Sequence, residues 1–241
     1  MKIPTKITPC PIVDANIGII FEPNIVNDAV FGIVFKVLQS KYPKATPLPI
    51  LQIPEEIRHK DPNLINQPHY KLSNGMFSVL VGPKAITLSS PKEYVGWEIF
   101  LKEIVAVFEK MKEADVIKKV QRLGLRYINF FESDVFDKIS LAVNVGNKPL
   151  KSNNTFIRAE LPCNDFTSIL QITNNAQIGI ENKKYAGSVI DIDTYTTSNL
   201  DDFFVSFVDL VIKGHEEEKK IFFQLLNEDF LATLNPTYVG E

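Results

Sequence analysis

Arg122-Leu-Gly-Leu-Arg-Tyr-Ile-Asn-Phe-Phe131 lies near the middle of a 241-residue chain, just after its longest helical pattern. The stretch is rich in aromatic and branched residues and has no proline, which reads as a strand. On a strand, Arg122, Gly124, Arg126, Ile128 and Phe130 share one face, and Leu123, Leu125, Tyr127, Asn129 and Phe131 share the other. Both faces carry large apolar groups, so both are expected to be covered. Two arginines therefore enter a strand that is at least half buried. A buried guanidinium left unpaired costs several kcal/mol, so the chain must supply acceptors elsewhere.

The best source of acceptors is Val189-Ile-Asp-Ile-Asp-Thr-Tyr195. Asp191 and Asp193 are two apart on a strand and share a face, while Ile190 and Ile192 share the opposite one. Two readings follow. Paired carboxylates can hold a divalent metal for phosphoryl transfer. They can equally accept from the arginines, with a bidentate contact satisfying both groups. No third acidic ligand or lysine stands at a recognisable nuclease spacing, so pairing of Arg126 with Asp191 or Asp193 is preferred. No metal or other cofactor is called for.

The remaining pattern alternates strands and helices. Asn16–Phe21 is the first strand, followed by a helix with apolar positions Val30, Ile33, Val34, Val37 and Leu38, capped by Asn27 or Asp28. Prolines at 43, 47, 49, 54, 62 and 68 make the next segment a connector, docked by Leu48, Ile50, Leu51 and Ile53. Strands 69–73 and 76–81 flank Asn74-Gly75, a type I′ hairpin signal, and Ala85–Ser89 follows. A long helix from Glu93 or Tyr94 to Ala114 carries the stripe Phe100, Ile104, Val107, Phe108 and Met111. The only tryptophan, Trp97, near its start, reads as core before interface anchor.

After the arginine strand, Val135–Leu141 is ambiguous, and Gly146–Pro149 and Ser152–Asn154 read as loops. Strands are expected at Phe156–Leu161, Ser168–Thr173 and Gln177–Ile180, the last two joined by a tight turn at Asn174-Asn175. Asn182–Gly187 reads as a turn and Ser188–Thr196 as a strand. Ser198 is placed to cap a helix with Asp201 and Asp202 in its first turn, and Gly214 to end or kink it. A final helix, Glu216–Leu226, has Glu216 spaced to pair with Lys220, and Asp229–Leu234 adds a further turn. The expected class is α+β: a mostly antiparallel sheet with a long central helix and C-terminal helices. Two lobes, 1–131 and 132–241, are drawn as the domains, with one continuous domain as the alternative.

Composition narrows the function. Hydrophobic residues make up 45% of the chain, enough for a real core. The net charge of -3 argues against non-specific coating of nucleic acid. No apolar run reaches the roughly 20 residues that span a bilayer, and the start lacks a signal-peptide pattern. Cys10 and Cys163 are far apart and form neither a ligand spacing nor a disulfide framework. A cytoplasmic protein with reduced thiols and no membrane association is expected. His59, His69 and His215 share no ligand spacing, and His215 after Gly214 is expected to cap a helix end. No nucleophile elbow, phosphate loop or metalloprotease motif is present. Lys118, Lys119, Arg122 and Arg126, with Tyr94, Trp97 and Tyr127, have the makings of a nucleic-acid surface, but a solvated helix end gives the same letters.

Several segments together resemble one family: Tyr94-x-Gly-Trp97, Arg122-x-Gly-Leu-Arg-Tyr-Ile-Asn129, Val189-Ile-Asp-Ile-Asp193, His215, Phe222-Phe-x-Leu-Leu and Leu234-x-Pro-x-Tyr238. They are similar to an uncharacterised, sporadically distributed prokaryotic protein family of about this length. The resemblance covers nearly the whole chain, including Pro11–Ala15 and the proline-rich connector. It implies an intracellular bacterial or archaeal protein with an accessory role, such as defence or a toxin–antitoxin pair, and no assigned activity. Three functions are carried forward. The first is a non-enzymatic module acting through a protein partner or homo-oligomer. The second is a metal-dependent enzyme on phosphodiesters or nucleotides using Asp191 and Asp193. The third is an RNA- or nucleotide-binding module using Arg122, Arg126 and Tyr127. The polar cluster to locate is Arg122, Arg126, Tyr127, Asn129, Asp191, Asp193 and His215.

Overall fold

The computed structural model describes residues 2–91, 93–149, 154–180 and 183–238. It is α+β, with a large antiparallel sheet and five helices among the described residues. The strands are β1 (Ile12–Pro23), β2 (Lys44–Pro47), β3 (Tyr70–Ser73), β4 (Ser78–Val81), β5 (Ala85–Ser89), β6 (Ile117–Phe131), β7 (Asn144–Val145), β8 (Lys148–Pro149), β9 (Phe156–Cys163), β10 (Phe166–Ile180) and β11 (Lys183–Thr196). The helices are α1 (Asn27–Leu38), α2 (Glu55–Lys60), α3 (Trp97–Ala114), α4 (Phe203–Leu225) and α5 (Glu228–Thr233), with a 3-10 turn at Pro49–Gln52.

The chain forms two compact units, neither of them a single run of sequence. The first comprises residues 14–125 and 195–212; the second comprises 1–13, 126–194 and 213–241. In the first unit the strand order is β2-β3-β4-β5-β1 and then the opening half of β6. Its described registers are antiparallel, for example Ile17 opposite Leu88 and Leu72 opposite Val79. α3 buries Phe100, Ile104, Val107, Phe108 and Met111 on one stripe. Phe108 meets Phe203 and Phe207 of α4 at ring distances of 5.7 and 5.8 Å.

The second unit takes the closing half of β6, then β11, β10 and β9. Alternate residues of these strands are sealed: Phe131, Ile190, Ile192, Leu170 and Ile172 form one core with Phe222, Phe223, Leu225 and Leu226 of α4 and with Leu231 of α5. The intervening positions, including Arg126, Ile128, Phe130, Val189, Asp193, Ile169 and Gln171, are only half-buried, so this unit's sheet has one covered and one open face.

Several local expectations need correction. The Asn74-Gly75 hairpin is not a two-residue type I′ turn. Ser73 faces Ser78 across a longer loop, only Gly75 has positive φ there (+89°), and the Asn74 side chain accepts from Met76 N and Phe77 N. Asn174-Asn175 does not turn the chain, because β10 runs unbroken through it. The Asn174 side chain instead accepts from Thr155 N and donates to Asp134, so it ties down neighbours while its own backbone stays extended. Lys183–Gly187 belongs to β11 rather than to a turn. Gly187 is there for close approach, since a Cβ on it would lie 2.1 Å from the Phe131 carbonyl oxygen. Ser152-Asn153 and Asn182, read as loop and turn, lie outside the described residues.

The helices differ from the expected pattern in related ways. α1 has Val26 at its N-cap with no side-chain cap, so neither Asn27 nor Asp28 serves. α4 starts at Phe203, beyond Ser198, with Asp201 and Asp202 ahead of its first turn. It then runs for 23 residues through Gly214, where a break was expected, and is longer than α3 at 18. A helical glycine costs only about 1 kcal/mol, and burying a stripe of phenylalanines and leucines on either side outweighs that. Lys220 pairs at 3.8 Å with Glu217, three residues earlier, rather than across the expected four-residue spacing. No helix among the described residues is long and apolar enough to cross a membrane.

Candidate functional site

The strand alternation around Arg126 and Tyr127 sends the two side chains to opposite faces of the second unit's sheet, and each builds a different polar cluster. On the open face, Arg126 donates from Nε to Asp191 Oδ1 at 2.8 Å and from Nη2 to Asp191 Oδ2 at 2.5 Å. This bidentate pair supplies the acceptor that a half-buried guanidinium requires. Gln171 on β10 adds a donor to Asp191 Oδ2 at 3.2 Å. The carboxylate is the buried partner: the Asp191 side chain is 9% exposed and that of Arg126 42%. Asp193 is half-buried on the same strand face as Asp191. Among the described residues no group of three or more His, Cys, Asp or Glu is arranged to hold a metal.

On the covered face, the Tyr127 hydroxyl and His215 Nδ1 share a hydrogen bond of 3.1 Å. His215 stands in the middle of α4, not at a helix end. Burial drives its pKa down to about 3, helped by the neighbouring charge of Lys219, so the ring is neutral. Asn129 donates to the Ile190 carbonyl at 3.3 Å, and Ser168 and Thr194, both fully buried, share a hydrogen bond of 2.7 Å. These contacts satisfy polar groups inside an apolar layer, as a structural role requires.

One turn along α4 from His215 lies Glu218, a buried acid that the sequence reading passed over. Burial raises its carboxyl to about 8, against the opposing pull of Lys219. Its signal was present. Phe207, Val211, Gly214, Glu218, Phe222 and Leu225 follow one helical stripe, so Glu218 occupies an apolar register. Breaking the helix at Gly214 hid that register.

Arg122 belongs to the first unit. Its guanidinium lies 4.5 Å from the centre of the Tyr195 ring. It also lies across Gly124, where a Cβ would meet Nη1 at 2.5 Å, so glycine makes room for the arginine. Lys118 pairs with Glu22 at 2.6 Å and Lys119 with Asp201 at 3.1 Å, so both lysines of the expected basic cluster are in ion pairs. His59 lies 3.8 Å from Glu55 and His69 3.1 Å from Arg58, so the histidines share no site. No protein-family model matches the chain, and no curated protein matches it.

Proposed function

We propose that the protein is a non-enzymatic interaction module that acts through a protein partner or through self-association. The observation that carries this reading is the open face of the second unit's sheet, where half-buried Ile128, Phe130 and Ile169 share the face that carries the Arg126–Asp191 pair. An apolar face carrying a fixed charge pair is the composition of a protein interface core, with arginine as its polar anchor. The resemblance to a sporadically distributed prokaryotic family supports an accessory role, such as defence or one half of a toxin–antitoxin pair. It also supports a cytoplasmic setting.

The two other readings draw less support. A metal-dependent enzyme needs Asp191 free to ligate, and Arg126 and Gln171 already occupy it. A nucleic-acid module needs its arginines available to phosphates, and Arg126 is engaged with Asp191 while Arg122 stacks on Tyr195. Native mass spectrometry of the protein purified gently from its host tests the choice. A co-purifying polypeptide or a ligand-free homo-oligomer is expected. Stoichiometric metal, nucleotide or RNA would overturn the reading in favour of a ligand site.

A further inference from the structure

The two edges of the sheet differ in length. β2 is four residues long, Lys44–Pro47, too short to offer much backbone to a second strand. β9 is eight residues long and ends the strand order beyond β10, so one of its backbone rows has no described strand beside it. Pro162 identifies that row. It stands opposite Thr167 and has no N–H, so it takes a position whose backbone groups point away from β10. Backbone direction alternates along a strand, so Phe156, Arg158 and Glu160 also turn their N–H and C=O groups outward. All four even-numbered residues are exposed, and Phe156 is 63% exposed, unusual for a phenylalanine.

Residues 156–162 read Phe-Ile-Arg-Ala-Glu-Leu-Pro, and they are self-complementary about Ala159. With two copies laid antiparallel and Ala159 against Ala159, Arg158 faces Glu160 of the second copy, and the reverse, across the twofold axis. Ile157 then faces Leu161, and Phe156 faces Pro162. The outward rows are in phase, so Arg158 and Glu160 exchange backbone hydrogen bonds between copies. Other registers are disfavoured. A one-residue slip sets an outward row against an inward one, and a two-residue slip opposes arginine to arginine or glutamate to glutamate. Within one chain Arg158 Nη2 already donates to Glu160 Oε1 at 2.8 Å, so pairing merges two ion pairs into one alternating cluster.

We propose that the protein forms a twofold dimer in which β9 pairs antiparallel with β9 of a second copy, in register about Ala159. This rests on the reading that the protein acts by association and names one such partner, a second copy of the chain. The test is sedimentation velocity on the full chain across a concentration series, with charge-reversal variants. The wild type should move from 27.2 kDa toward twice that mass as concentration rises. Arg158→Glu and Glu160→Arg should each shift the dimer dissociation constant upward by tenfold or more, because each opposes like charges at the axis. Mixing the two variants should restore a dimer that is strictly mixed, and the double variant Arg158→Glu/Glu160→Arg should dimerise alone. Far-ultraviolet circular dichroism confirms that the variants fold. A wild type that stays monomeric throughout overturns the proposal, as does a dimer indifferent to both reversals or a mixture that fails to pair. A monomer that still co-purifies with another polypeptide defeats the edge dimer and leaves the interaction reading standing.

Discussion

Asp191 and Glu218 are two carboxylates of the same unit, 6% and 5% exposed, and they meet opposite fates. Asp191, on the open face of the sheet, holds a bidentate guanidinium and a glutamine amide. Glu218, on the helix that covers the other face, has only Lys219 as its described electrostatic helper, and burial raises its pKa to about 8. Equal burial therefore comes with unequal support. A planar partner held in a fixed geometry satisfies the oxygens of one acid, and burial without such a partner favours the neutral form of the other.

The sharpest way to test that contrast is pH. Below pH 4.5 Glu218 is protonated in the folded and the unfolded chain, so its burial costs nothing. From 4.5 to about 8 the unfolded chain ionises it and the folded chain does not, so stability falls as pH rises. Glu218→Gln should abolish that loss and stabilise the protein at pH 9 by about 5 kcal/mol, at about 1.4 kcal/mol per pKa unit, with no gain at pH 4. Urea denaturation at both pH values measures this, and an equal effect at both would show that Glu218 is not the titrating group. His215 works in the opposite sense. Between pH 6.5 and about 3 the unfolded chain takes up a proton that the buried ring refuses, so stability falls as pH falls. The two limbs should leave a maximum around pH 5–6.

Breaking the other carboxylate's support comes next in size. Arg126→Ala strands Asp191 and should cost about 3 kcal/mol at pH 7. Asp191→Asn should cost only about 1 kcal/mol, because Arg126 is half-exposed and can turn to water. Equal costs in denaturant titrations would refute the claim that the carboxylate is the stranded partner. Tyr127→Phe removes the hydroxyl from His215 and should cost about 1 kcal/mol. If that hydrogen bond matters, the pH at which His215 protonates, followed by NMR, should move as well. The smallest effect is expected at Gly124→Ala. The added methyl meets only the mobile end of Arg122, so the loss should be about 0.5–1 kcal/mol, the value of the Tyr195 contact. A loss of several kcal/mol would mean that backbone, not side chain, has to move.

The sequence carried the class of fold and one of the two acids. Residues 122–131 read as a strand because its two periodic faces are both apolar, and the need for an acceptor pointed to 189–195. Parity could not choose between Asp191 and Asp193, which share a face; only the placement of β11 beside β6 makes Asp191 the partner. Glu218 was out of reach for a different reason. Local propensity at Gly214-His215 favoured a break, and the packing energy that carries the helix through is a property of the folded core. Strand order is non-local too, so 156–161 was legible as a strand and not as an edge. Long strands with asparagines inside were misread as pairs of short ones, because a turn residue whose side chain bonds elsewhere leaves no local trace.

The second unit is stitched from the start, middle and end of the sequence. Thr5 N donates to the Thr237 carbonyl at 2.7 Å, and Lys6 and Thr237 form a β-bridge. During synthesis, therefore, the segment around residue 5 must wait, unpaired, until residue 237 has left the ribosome. The first unit likewise lacks residues 195–212 of its interior until late in translation. Neither unit can close co-translationally in the order it is made. The local strand pairs of the first unit can form early, but both units are completed only when the last third of the chain has been made.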